Sequence, residues 1–119
     1  MNWSATGAIG LGLAVMLGAF GAHGLRTRLD AYSMSIWERA VFYHFIHALG
    51  LLIVPLLVRG TAREWVCWLL LAGVVLFCGS LYALALTGVR MLGAVTPLGG
   101  LSFIAAWVAL TAAILRGAH

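Results

Sequence analysis

The sequence predicts an all-α membrane protein: four antiparallel transmembrane helices in a compact bundle, forming one domain over residues 1–119. Three observations predict it. Hydrophobic residues make up 64% of the chain. Charged residues are only 8%, against roughly 25% in an ordinary soluble domain. The apolar residues also gather into four runs, each of about 20 residues, the length that crosses a hydrocarbon core. Three acidic and seven basic residues cannot cover a water-facing exterior, so the outer surface faces lipid and the bilayer is the first expected partner.

The first run covers 4–25 and contains no charged residue. No Lys or Arg precedes it, as the charged head of a cleaved signal peptide would require, so it is expected to remain as a span. The polar stretch 26–39 then holds Arg26, Arg28, Asp30, Glu38 and Arg39. A second helix is expected over 36–58, because Trp37, Ala40, His44, His47 and Leu51 recur at helical spacing. It enters the membrane near Ala40, and Pro55 removes one backbone donor near its far end. After a short turn over 59–64, the third helix is expected over 65–87, with Trp65, Trp68 and Tyr82 toward its ends as in an interfacial aromatic belt. The pair Thr96-Pro97 reads as an N-cap followed by proline at the first helical position. That starts the fourth helix at 97 and carries it to 116. Connections this short make successive helices antiparallel neighbours.

The net charge of +4 comes from arginine alone, and all seven arginines lie in or beside the breaks between runs. Arginines so placed reach for lipid headgroups. They form no clustered basic stripe, so nucleic acid is not an expected partner. Arg26, Arg28, Arg39 and Arg90 fall on one side and Arg59, Arg63 and Arg116 on the other, a margin of one that leaves orientation open. Cys67 and Cys78 are eleven residues apart on one helix. That is about 16 Å, beyond the reach of a disulfide, and both read as small buried hydrophobes.

Helices in lipid associate through close approach of small residues and through interhelical hydrogen bonds. Gly10, Ala14, Gly18 and Ala22 in the first helix are small and spaced by four, as are Gly79, Ala83 and Thr87 in the third and Ala105, Ala109 and Ala113 in the fourth. The expected use of these stripes is packing inside the bundle, with a self-association face as the other reading.

Ionisable or polar groups at membrane depth are the places to look for function. His23 ends the first helix, and His44 and His47, three apart, share a face of the second. Tyr43, Tyr82, Ser80 and Ser102 are available as hydrogen-bond partners. The three histidines invite a metal site, but His-x-x-His with no nearby Cys or carboxylate is a weak ligand pattern, and no metal or other cofactor is expected. Titrating imidazoles also suit proton or solute movement. For catalysis there is no Gly-x-Ser-x-Gly, His-Glu-x-x-His, phosphate loop or paired carboxylate, so no enzyme activity and no catalytic residue is expected.

Four strings carry a resemblance: Gly18-Ala19-Phe20-Gly21-Ala22-His23-Gly24-Leu25; Tyr43-His44 with His47-Ala48-Leu49; Phe77-Cys78-Gly79-Ser80-Leu81-Tyr82; and Thr96-Pro97-Leu98-Gly99-Gly100. Together they resemble the small membrane family labelled domain of unknown function 423, which includes the transmembrane protein 256-like proteins. Cys78 stands where serine or another small residue is expected. The resemblance implies a multi-pass protein of the bacterial inner (plasma) membrane with no established activity. It also directs attention to His23, His44, His47, Tyr82 and Thr96, beside Pro97, as one polar intramembrane cluster. The expected function is that of a structural or accessory membrane component that packs with itself, as a homo-oligomer, or with a larger membrane complex. The alternative is a transporter or channel-like module for a small solute or proton, using the intramembrane histidines.

Overall fold

The computed structural model describes residues 1–118, and four helical spans account for nearly all of them. Helix α1 (Trp3–Phe20) runs without a break into a π turn, Gly21–Leu25. Helix α2 covers Ala31–Leu57. Helix α3 (Gly60–Gly73), a second π turn (Val74–Cys78) and helix α4 (Gly79–Thr87) form one continuous span, and α5 covers Leu92–Leu115. The bundle is 49 Å long, more than the roughly 30 Å of a hydrocarbon core, so both ends reach the headgroup layers.

Three helix starts differ from the sequence expectation, each for a local reason. Helix α2 begins at Ala31, five residues before the expected 36. The Asp30 carboxylate accepts the Ser33 N–H at 2.7 Å, an N-cap, and lets the helix form in the polar zone before Ala40. Helix α3 begins at Gly60, inside the stretch read as a turn, because Gly60 takes a positive φ of 66° and reverses the chain in very few residues. Helix α5 begins at Leu92, so Pro97 lies inside the helix and Thr96 is not its N-cap. Three i to i−3 bonds, from Leu92, Gly93 and Ala94, close the first turn ahead of the proline. Thr96 Oγ1 instead donates to Leu92 O at 3.4 Å.

The small residues of α1 do face α2. A Cβ on Gly7 would lie 2.4 Å from Leu52 N, one on Gly10 3.0 Å from Ala48 Cβ, and one on Gly18 3.3 Å from Val41; Ala14 is fully buried. Ala22, however, is exposed. Each step of four residues advances about 400°, so a strict stripe drifts about 40° per turn away from a fixed neighbour. The seam that actually packs alternates threes and fours and passes through Gly7, Gly10, Ala14 and Gly21. The same drift turns Gly79 outward on α4 and Ala105 outward on α5, where Gly99, Phe103, Ala106, Leu110 and Ala113 are buried instead.

Most packed helix pairs also carry a side-chain hydrogen bond. Ser4 Oγ donates to Leu52 O and Trp37 Nε1 to Leu17 O between α1 and α2. Trp3 Nε1 donates to Glu64 Oε2 at 2.8 Å, fixing the start of α1 to α3. Ser102 Oγ donates to Leu69 O between α5 and α3. Such bonds are worth about 0.6 kcal/mol each on average in a membrane, so they orient helices more than they hold them together. Two apolar clusters fill the interior: one around Leu51, Val54, Val66, Leu70 and Ala106, the other around Trp37, Ala40, Cys78, Leu81 and Phe103. His44 and His47 lie on α2 between the segments that feed the two clusters.

Candidate functional site

The only buried polar or charged residues among those described are His44, His47 and Ser80. Helix α2 brings both histidines inward, since a separation of three keeps them on one face, and leaves them 6% and 4% exposed. His44 Nδ1 lies 2.9 Å from the Tyr82 hydroxyl on α4. On the α1 side a Cβ on Gly10 would lie 3.0 Å from Ala48 Cβ, so α1 packs closely against this part of α2. Tyr82 in turn packs edge-on against Trp37, with ring centroids 4.7 Å apart.

His47 has a different set of partners. Its Nδ1 bonds Tyr43 O one turn back at 2.8 Å, and Trp107 Nε1 of α5 donates to its Nε2 at 3.1 Å. An indole N–H only donates and a carbonyl only accepts. The His47 proton therefore sits on Nδ1, Nε2 carries the lone pair, and the geometry holds a neutral ring with both nitrogens occupied. The ring stacks on Phe103 at a centroid distance of 3.5 Å, and Tyr43, Phe77 and Phe103 pack against one another beside it. A cavity of about 400 Å³ opens next to this stack, lined by Tyr43, His47, Phe77, Phe103, Ile104 and Trp107 among others. Its walls are almost entirely aromatic and aliphatic.

The third polar pair joins Ser80 Oγ to Thr96 Oγ1 at 2.6 Å, between α4 and α5. Ser80 Oγ also reaches Phe77 O, a carbonyl of the second π turn, at 3.0 Å. Gly99 explains how α5 comes so near: a Cβ there would lie 2.3 Å from Phe77 N and 2.7 Å from its Cα. The π turn thus lies backbone to backbone against α5. π turns are rare and often mark functional positions.

Of the five residues expected to form one cluster, the structure joins His44 to Tyr82 directly. Thr96 meets Ser80, two residues before Tyr82, and His47 sits one turn along from His44 with its own partners. His23 is exposed in the first π turn and is not brought to the others. Its string meets the site's surroundings through Gly21, which lies against Trp37, and through Leu25, which joins the apolar cluster of Trp37, Cys78 and Leu81. Sequence reasoning missed Phe103 and Trp107. Their spacing of four, on a helix otherwise made of small and aliphatic residues, was the available signal. Among the described residues no group of three His, Cys, Asp or Glu is arranged to hold a metal ion, and the hydrogen-bond partners of the two buried imidazoles are Tyr82, Tyr43 O and Trp107, none of them a carboxylate.

These strings and their meeting point give the comparisons with known proteins a structural meaning. The family model described as protein of unknown function (DUF423) matches residues 17–100. The chain belongs to that family. A UPF0382 membrane protein of Staphylococcus epidermidis is 51% identical over 113 residues, covering 92% of each chain. One of Staphylococcus haemolyticus is 52% identical over 107 residues, covering 87% of each, and one of Bacillus subtilis is 46% identical over 114 residues, covering 92% of this chain and 93% of the relative. No solved structure matches the chain. The DUF423 match takes in the second π turn, both buried histidines, Tyr82, Thr96 and Gly99, and stops before Phe103 and Trp107. The protein is accordingly a small membrane protein of the DUF423 family.

Proposed function

We propose that this DUF423 protein is a structural or accessory component of the bacterial inner membrane that packs with itself or with a larger complex, and that it is not an enzyme. One observation carries the reading: both nitrogens of His47 are engaged, by Tyr43 O and by Trp107. His44 Nδ1 is held by the Tyr82 hydroxyl. Imidazoles bound in this way fix the rotation of α2 against α4 and α5, and His47 offers no free lone pair to a substrate or metal. Further support comes from small residues left on the outside. Gly12 of α1 and Gly79 of α4 are exposed with nothing within 4 Å of a Cβ, and Ala8 and Ala19 of α1 are exposed too. Small outward residues allow another helix to approach closely.

The test is cross-linking in native membranes through Gly12→Cys, with Cys67 and Cys78 too buried to compete. A dimer or a higher-mass adduct is expected, and monomer alone at every expression level would count against the reading. The alternative drawn from the sequence, a transporter or channel-like module for a small solute or proton, rests on the same histidines. Flux into proteoliposomes that is abolished in a His44→Ala, His47→Ala double variant would establish it in place of the first.

A further inference from the structure

At the end of the bundle that carries the first and third loops, the start of α2, the end of α4 and the start of α5 enclose a cleft of about 480 Å³. Asp30, Ser33 and Arg90 line it together with Ile36 and Leu84. Asp30 and Arg90 are exposed and Ile36 is buried, so the cleft is charged at its mouth and apolar at its depth. That gradient matches the junction between phospholipid headgroups and acyl chains, the layer in which this end of the bundle lies. Tyr32, also in the lining, is 71% exposed, as an interfacial aromatic residue would be.

The two charges face one cleft without pairing. Among the described residues the one ion pair is Arg63 with Glu64, at the opposite end. Ser33 bonds hold the Asp30 carboxyl below its ordinary range, so it stays ionised, while the Arg90 guanidinium has no protein partner among the described residues. An anion alone would meet the charge of Asp30, and a cation alone that of Arg90. A group bearing both signs satisfies each.

We infer that this cleft binds the headgroup of a zwitterionic aminophospholipid, with Arg90 on the phosphate, Asp30 on the ammonium, and Ile36 and Leu84 against the first methylenes of the chains. A guanidinium fork suits phosphate oxygens, and a carboxylate suits the N–H donors of a primary ammonium. A choline headgroup has no such donor. This site is independent of the histidine layer and of whether the protein packs with itself.

The experiment offers the full chain, purified in detergent, equal amounts of phosphatidylethanolamine, phosphatidylglycerol and phosphatidylcholine with identical acyl chains, and counts retained lipid by native mass spectrometry. Phosphatidylethanolamine is expected to exceed each of the others by about fivefold, the scale of a favourable interfacial ion pair. Arg90→Gln should remove that excess. Asp30→Asn should remove it as well while leaving the fold intact, because asparagine caps a helix as well as aspartate; it carries the test alone if the arginine variant does not fold. Equal retention of the three lipids, a preference for phosphatidylglycerol, or an excess that survives Asp30→Asn would overturn the assignment. Free phosphoethanolamine that displaces the lipid at comparable concentration would overturn it too, by making the ligand a soluble zwitterion.

Discussion

Replacing Trp107 by Phe keeps an aromatic ring on α5 but deletes the N–H that His47 Nε2 accepts at 3.1 Å. Interhelical hydrogen bonds in membranes average about 0.6 kcal/mol and reach about 1.7. With Nε2 left without its donor in a ring only 4% exposed, a loss of about 1 kcal/mol follows. Unfolding entropies near 2.1 cal/mol/K per residue give a 119-residue chain about 250 cal/mol/K, so this loss lowers the melting point by about 4 °C. Cys67 and Cys78 supply the assay, since both are free and 0% and 1% exposed, and a thiol-reactive fluorogenic dye reports unfolding in detergent as they emerge. His47→Phe is the partner variant, because it preserves a flat ring for the stack on Phe103 and removes both nitrogens. If the bond exists, the double variant is destabilised by less than the two singles together, by about 0.6 kcal/mol or more. Strict additivity, within about 0.3 kcal/mol, would refute the assignment of the His47 tautomer and with it the claim that this imidazole is fully engaged.

Other outcomes follow from the same structure. Gly99→Ala would put a Cβ 2.3 Å from Phe77 N and Gly7→Ala one 2.4 Å from Leu52 N; backbone cannot swing aside, so each should cost about 1–3 kcal/mol in the same melting assay. Gly12→Ala, with open space around it, should be neutral or slightly stabilising through helix propensity. The Ser33 bonds lower the pKa of Asp30, so its contribution to the α2 cap is complete above the ordinary carboxylate value of about 4 and fades as pH falls through the lowered one. Protection of the Ser33 amide, its exchange rate relative to that of an unstructured peptide at the same pH, should therefore fall below about pH 4, and Asp30→Asn, which caps without titrating, should abolish that loss of protection. Added zinc should leave the melting point of the protein unchanged, because His47 has no free nitrogen and His23 is exposed in another turn; a rise that His23→Ala removes would contradict this.

Much of the site was visible in the sequence as residue types. His44, His47, Tyr82 and Thr96 are polar groups set in apolar runs, and the cost of leaving such groups unpaired in lipid makes them conspicuous. Their pairings were not visible. Trp107 bonds His47 across 60 residues, and that bond depends on how α5 is rotated about its axis, which no local pattern in α5 specifies. Thr96-Pro97 misled for a related reason. Locally it is a good helix start, yet Gly99 against Phe77 draws α5 close to the second π turn, and Thr96 serves Ser80 within a helix that has already begun.

By itself the sequence determined that four segments cross a membrane and follow one another antiparallel, because the cost of placing polar groups in hydrocarbon is a sum over neighbouring residues and can be read along the chain. The tertiary structure alone decided which small residues are covered, where the helix ends lie and which nitrogen of His47 carries the proton. Those properties depend on close contact between segments far apart in the chain. A stripe drifting about 40° per turn leaves Ala22 outside, and only the position of the neighbouring helix shows where the seam runs.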